Sequence, residues 1–135
     1  MIDRLGSEFQ VKQTALNLRA YRQEMIASNI ANGDTPHYKA RDLDFKSALA
    51  NAVGGKGSAA LPVSRTASGH LDGAIDGAFA AEVRYRSEYQ GAVDGNTVNM
   101  DVERGAFAEN AVQMEALLSF IRDDFKKMQM AITGQ

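Results

Sequence analysis

The chain has 135 residues, no cysteine, and 15 basic against 17 acidic side chains, a formal net charge of −2. That length fits one domain with a modest core. Disulfides, thiolate metal sites and cysteine nucleophiles are excluded, and the lack of a concentrated basic surface excludes nucleic acid and anionic lipid as main partners.

Residues 3–32 read as a first helix, started by Asp3 or by a capping box at Ser7-Glu8-Phe9-Gln10. Its apolar positions, among them Phe9, Leu16, Leu18, Tyr21, Met25, Ile26 and Ile30, keep helical spacing but drift between registers. Asn32-Gly33 is a C-cap candidate, and Pro36 stops the helix by pushing Thr35 into extended backbone. No apolar region of a cleaved secretory signal precedes this helix. Residues 37–46 read as an ordered loop leading into a short helix at 44–52.

Residues 54–77 hold six of the twelve glycines and have the composition of a flexible spacer. Glu82–Tyr89 alternates charged with apolar or aromatic residues, a strand signal. Asp94-Gly95-Asn96 is turn chemistry, so Thr97–Met100 is the expected partner strand of a short hairpin. Asp101 is then placed to cap the last helix, with Glu103 in its first turn and Lys126 and Lys127 near its end.

That last helix carries the clearest pattern in the chain. Phe107, Ala111, Met114, Leu118, Ile121, Phe125, Met128 and Ile132 follow 4-3 spacing without a break. Such a seam suits one helix packed on another, and it runs about 39 Å at 1.5 Å per residue. Two placements stay open: against the first helix of the same chain, or against neighbouring subunits. The glycine-rich middle provides no second core, which favours the intermolecular placement. The expected fold is mainly α, with long N- and C-terminal helices packed as a coiled-coil-like hairpin around an irregular middle that contains a small β element. Its parts are residues 1–36, 37–101 and 102–135, one structural unit.

Chemistry is sparse. His37 and His70 have no third ligand at metal spacing. The turn at Asp94 fails as a calcium loop, because Val98, Asn99 and Gly105 stand where an oxygen ligand, a glycine and a glutamate are needed. Gly54–Ser58 lacks the strand and the Lys-Ser/Thr pair of a phosphate loop. The pairs Asp42/Asp44 and Asp123/Asp124 read as surface carboxylates by pattern, with no desolvating surroundings evident in the sequence to raise a pKa for acid catalysis. No catalytic, cofactor or metal residue is assigned, and no small-molecule substrate or nucleic acid is expected.

Ser28-Asn29-Ile30-Ala31-Asn32-Gly33-Asp34-Thr35-Pro36-His37-Tyr38-Lys39-Ala40 resembles the N-terminal signature of bacterial flagellar rod, hook and hook-associated axial proteins. Ala40-Arg41-Asp42-Leu43-Asp44-Phe45, the stretch Asp94–Arg104 leading into Phe107-Ala108-Glu109-Asn110, and Arg65-Thr66 through His70-Leu71 narrow the resemblance to the proximal rod subunits of that family. It covers nearly the whole chain except about residues 47–62. Where the family often has Asn and Gly, this chain has Asp34 and His37; Asp keeps the turn-forming oxygen and His tolerates a positive φ.

The resemblance implies a structural subunit of the proximal rod, exported without a cleaved signal peptide and assembled in the periplasmic basal body. Its implied partners are copies of itself, other rod proteins and an adaptor similar to FliE, close to the membrane ring and the export gate. On that reading Asn29, Asn32, Thr35, Pro36 and Tyr38 form a buried polar corner at a subunit interface. Phe107, Met114, Leu118, Ile121, Phe125, Met128 and Ile132 carry the packing between subunits. The alternative from a different class is a soluble helical-hairpin adaptor or chaperone that binds a partner helix.

Overall fold

Long uninterrupted helical periodicity at each end of the chain becomes two long helices. A computed structural model describes residues 2–54, 83–86 and 93–134. Helix α1, Ile2–Ala31, contains no proline and a single glycine. It ends where Asn32 N–H reaches Ser28 O (3.1 Å) and Gly33 N–H reaches Ile30 O (3.2 Å), a tight turn before Pro36. Strand β1, Arg41–Leu43, follows, then helix α2, Phe45–Val53. Asp44 caps α2, accepting from Ser47 N–H (3.2 Å) and Ser47 Oγ–H (3.0 Å). Strand β2, Val83–Tyr85, and helix α3, Met100–Thr133, complete the order.

Helices α1 and α3 pack antiparallel. Gly33 lies so close to Met100 that a Cβ there would sit 2.9 Å from its sulfur, while at the other end Phe9 meets Phe125 edge-on with centroids 5.4 Å apart. The mainly α hairpin with a small β element is therefore the observed fold. On the other side of α1, Leu18, Met25, Leu43 and Ala48 form the core, flanked by Tyr21, Phe45, Leu49 and Val83. Arg19 closes that core from above, its guanidinium 3.6 Å from the centre of the Phe45 ring, a cation–π contact.

The β element differs from the sequence expectation. Val83–Tyr85 is a strand, but its antiparallel partner is Arg41–Leu43, in the register Arg41↔Tyr85, Asp42↔Arg84 and Leu43↔Val83. Thr97–Met100 is not a strand, because Asn99 caps α3 and draws Met100 into the helix. Thr97 still lies beside the chain before β1, its N–H donating to Tyr38 O (3.1 Å) and its Oγ1 accepting from Ala40 N–H (2.8 Å). The cap is Asn99 rather than Asp101: its side chain accepts from the N–H groups of Asp101 (3.1 Å) and Val102 (3.3 Å). The short helix expected at 44–52 is α2. The spacer beyond Gly54, the motif at 65–71, His70 and the ends of the 82–89 segment lie outside the described residues.

Candidate functional site

The turn after α1 is built from side-chain amides. Asn29 is fully buried, and all four of its hydrogen-bonding capacities are used. Its Nδ2 donates to Arg41 O (2.7 Å) and to Glu103 Oε2 (3.2 Å), and its Oδ1 accepts from Arg41 N–H (3.1 Å) and Tyr38 O–H (3.3 Å). One side chain thus pairs both backbone groups of Arg41 and ties α1 to β1 and α3. With the Tyr38 hydroxyl committed to Asn29, Ser28 Oγ–H is the donor in its 3.2 Å contact with Tyr38.

Asn32 Nδ2 returns to Ser28 O (2.8 Å), and its Oδ1 accepts from Thr35 Oγ1–H (3.2 Å). Opposite them, buried Asn96 donates to the carbonyls of Asn32 (3.1 Å), Gly33 (2.8 Å) and Thr35 (3.0 Å), and its Oδ1 accepts from Val98 N–H (2.8 Å). His37 holds the left-handed backbone, at φ 62°, that glycine usually supplies, and its N–H donates to Asp94 O (3.0 Å). Its ring occupies space open only because Gly95, at φ 71°, has no Cβ; one would meet His37 Nδ1 at 2.9 Å. The polar corner expected at Asn29, Asn32, Thr35, Pro36 and Tyr38 is thus one turn of chain. Asn29 is buried and Asn32 and Tyr38 are half-buried, but Thr35 and Pro36 face outward and are not buried within the chain.

Beside the corner runs a chain of alternating charges. Arg22 grips Asp42 side-on, donating from Nε to Oδ1 (2.8 Å) and from Nη2 to Oδ2 (3.0 Å), Asp42 also accepts from Arg86 Nη2 (2.8 Å), and Arg86 Nη1 reaches Glu103 Oε1 (3.1 Å). Burial pushes the Asp42 carboxyl up. The hydrogen bonds and charge of Arg22, with Leu43 N–H and Arg86, outweigh that and hold it below its ordinary value. Its contribution to stability is present above the ordinary carboxylate range and is lost as pH falls through the depressed value. Arg22 is raised in turn, first by its hydrogen bond to Asp42.

The face of α3 turned toward α1 carries Glu103, Asn110, Leu117 and Asp124, seven residues apart. Glu103 meets Asn29, Asn110 Nδ2 donates to Arg19 O (2.9 Å) and Gln23 Oε1 (2.6 Å), and Asp124 pairs with Lys12. At 100° per residue this line is offset from the expected apolar seam by roughly 60°. Met114, Leu118, Ile121 and Met128 are accordingly only half-buried, and Phe107, Phe125 (53 % exposed, one ring edge against Phe9) and Ile132 (86 % exposed) stay largely open to solvent. Sequence reasoning missed Asn96, Glu103, Asn110 and the Arg22–Asp42–Arg86 chain. The heptad spacing of Glu103, Asn110 and Asp124 is the signal that could have found the polar line. Between the open ends of α1 and α3 lies a groove of about 580 Å³, lined by Phe9, Phe125 and Met128 among others. No cluster of three metal-ligating side chains occurs among the described residues, and none of their helices is long and apolar enough to cross a membrane.

The profile of the family described as flagella basal body rod protein matches residues 9–39, which are most of α1 and the corner. Over its whole length the chain is 42 % identical to the flagellar basal body rod protein FlgB of Proteus mirabilis strain HI4320, covering 99 % of that protein. The chain belongs to the FlgB family. FlgB of Salmonella typhimurium is 40 % identical across 99 % of both chains, and FlgB of Escherichia coli K12 is 42 % identical across 95 % of this chain and 94 % of its own. Membership in the FlgB family makes the chain a structural subunit of the flagellar basal-body rod, in contact with other rod components, and not an enzyme. A hairpin adaptor or chaperone is not favoured, since the identity to FlgB proteins runs through both helices and the middle.

Proposed function

We propose that the chain is a proximal rod subunit that joins its neighbours through the flank of α3 its own α1 leaves uncovered. The observation that carries this reading is the exposure of Phe107, Phe125 and Ile132 along one side of α3, continuous with the apolar groove at the hairpin's open end. Removing one such side chain from water contributes about 2 kcal/mol, and repeated heterologous contacts that do not close on themselves build a filament rather than a ring. The neighbours are copies of this chain and other rod proteins, with a FliE-like adaptor at the base, near the membrane ring and export gate. The subunit reaches the periplasmic rod without a cleaved signal peptide. The outward-facing Thr35 and Pro36 belong to the same interface, with Asn29, Asn32 and Tyr38 holding them in place. We also propose the division into 1–36, 37–101 and 102–135 as parts of one unit.

Ile132 separates assembly from folding, because it touches little of its own chain. Ile132→Asp is expected to leave the fold of the isolated chain unchanged and to be exported, yet to give no basal bodies and no swimming. Asp123→Ala, at an exposed position off the flank, should swim. Normal motility of cells carrying only Ile132→Asp would remove the α3 flank from the assembly.

A further inference from the structure

Arg86 stands where three parts of the chain meet. It follows β2, at the far side of residues 55–82, and its N–H donates to Ala40 O (2.9 Å), extending the strand ladder. Its guanidinium then bridges Asp42 of β1 (2.8 Å) and Glu103 of α3 (3.1 Å), while Asp42 is held by Arg22 of α1. The quartet carries two positive and two negative charges, so it is neutral as a whole and loss of any single member leaves a net charge. Glu103 is 1 % exposed, and besides Arg86 its carboxylate receives a hydrogen bond from Asn29 Nδ2 (3.2 Å) among the described residues.

We propose that Arg86 is a positioning residue that clasps the strand pair to the α1–α3 hairpin, so that the strand pair and the register of the helices order together. The inference rests on the fold alone and holds whichever neighbours the subunit has. A buried carboxylate deprived of its counter-charge is strongly unfavourable in the ionised form. Releasing β2 would therefore leave Glu103 uncompensated at the start of α3, and displacing α3 would leave Arg86 with half its partners. By linkage, a neighbour bound on the strand side then favours binding on the α3 side, and the coupling free energy is the same in the converse direction. This gives an assembling subunit a way to report, at its helical face, that its strand pair has docked.

The groups around Glu103 make a specific test possible. They are Arg86, the Arg22–Asp42 pair behind it, and the Asn29 amide with Tyr38 on its far side; Glu109 lies further along α3, within electrostatic reach of Arg22. Arg86→Met keeps the length of the stem but leaves the buried Glu103 without its counter-charge, so the thermal midpoint should fall. The double variant Arg86→Met/Glu103→Gln should recover part of that midpoint, because it buries no unpaired charge beside Asn29 and the Gln oxygen still accepts from Asn29. Amide exchange in Arg86→Met should quicken by similar factors at Arg41–Leu43 and at Glu103–Asn110. A double variant no more stable than Arg86→Met, or faster exchange confined to the strand pair, overturns the clasp. If Arg86→Met does not fold at all, a folded double variant supports the proposal and an unfolded one overturns it.

Discussion

At the scale of single residues, an amide serves where a charge would fail. Asn29 donates twice and accepts twice within a site closed to water, and one donor faces the carboxylate of Glu103. Aspartate has the same shape but offers no donor when ionised, and it would place a second negative charge against Glu103. Leaving Arg41 O unpaired costs about 1–3 kcal/mol, and the uncompensated charge adds to that. Asn29→Asp should therefore lower stability by about 3 kcal/mol or more at neutral pH, measured by urea denaturation. The loss should shrink in mild acid, where the introduced carboxyl can be protonated and donate again. Asn29→Ala, which removes the bonds without adding charge, should cost less than Asn29→Asp at neutral pH and show no such recovery. An Asn29→Asp variant as stable as the parent would mean that water reaches the site.

At the scale of elements, the helices were legible because their signal is local. Periodicity in α1 and α3, the stop at Pro36 and the short helix α2 all follow from residues within a few positions of one another. The strand pairing was not legible, because Arg41–Leu43 and Val83–Tyr85 are far apart in sequence and the nearer turn at Asp94-Gly95 suggested a hairpin instead. Asn29, Asn32 and Tyr38 of the candidate corner could be read from the signature, whereas Asn96, Glu103 and Arg86 could not. A buried Glu or Asn is acceptable only when a partner satisfies it, and that partner comes from a distant segment. The same limit explains the seam on α3. Apolar content marks the richest stripe, but the hairpin contact follows the adjacent line through Glu103 and Asn110, where hydrogen bonds fix the register. The cap of α3 tests local reading directly, since Asn99 and Asp101 are both competent oxygens two residues apart. Loss of the observed cap by Asn99→Ala should cost about 1 kcal/mol. Asp101→Ala, which removes only a favourable charge near the helix N-terminus, should cost about 0.5 kcal/mol or less. Thermal unfolding of the two variants decides it, and the reverse order would show that Asp101 caps the helix in solution.

At the scale of the whole molecule, the hairpin is unevenly fastened. Its closed end holds the amide corner, the charge quartet, Asn110 and the core of Leu18, Met25, Leu43 and Ala48. Its open end has the edge contact of Phe9 with Phe125, the half-buried pair of Lys12 with Asp124, and an apolar groove left open to solvent. Helix segments without a buried face are marginal in water, since propagation alone barely exceeds the cost of ordering. Dilute protein should therefore show graded amide protection. Protection is expected to be strong over about residues 15–31 and 100–114 and weak over about 6–12 and 121–133, in keeping with opening free energies that vary across a structure. In an assembled rod the gradient should disappear, because neighbours covering Phe125, Met128 and Ile132 supply the buried face those turns lack. Hydrogen exchange on the dilute chain and on isolated basal bodies makes the comparison. Equal protection along both helices in the dilute chain would mean that the hairpin is complete by itself, and the open end would then need no neighbour.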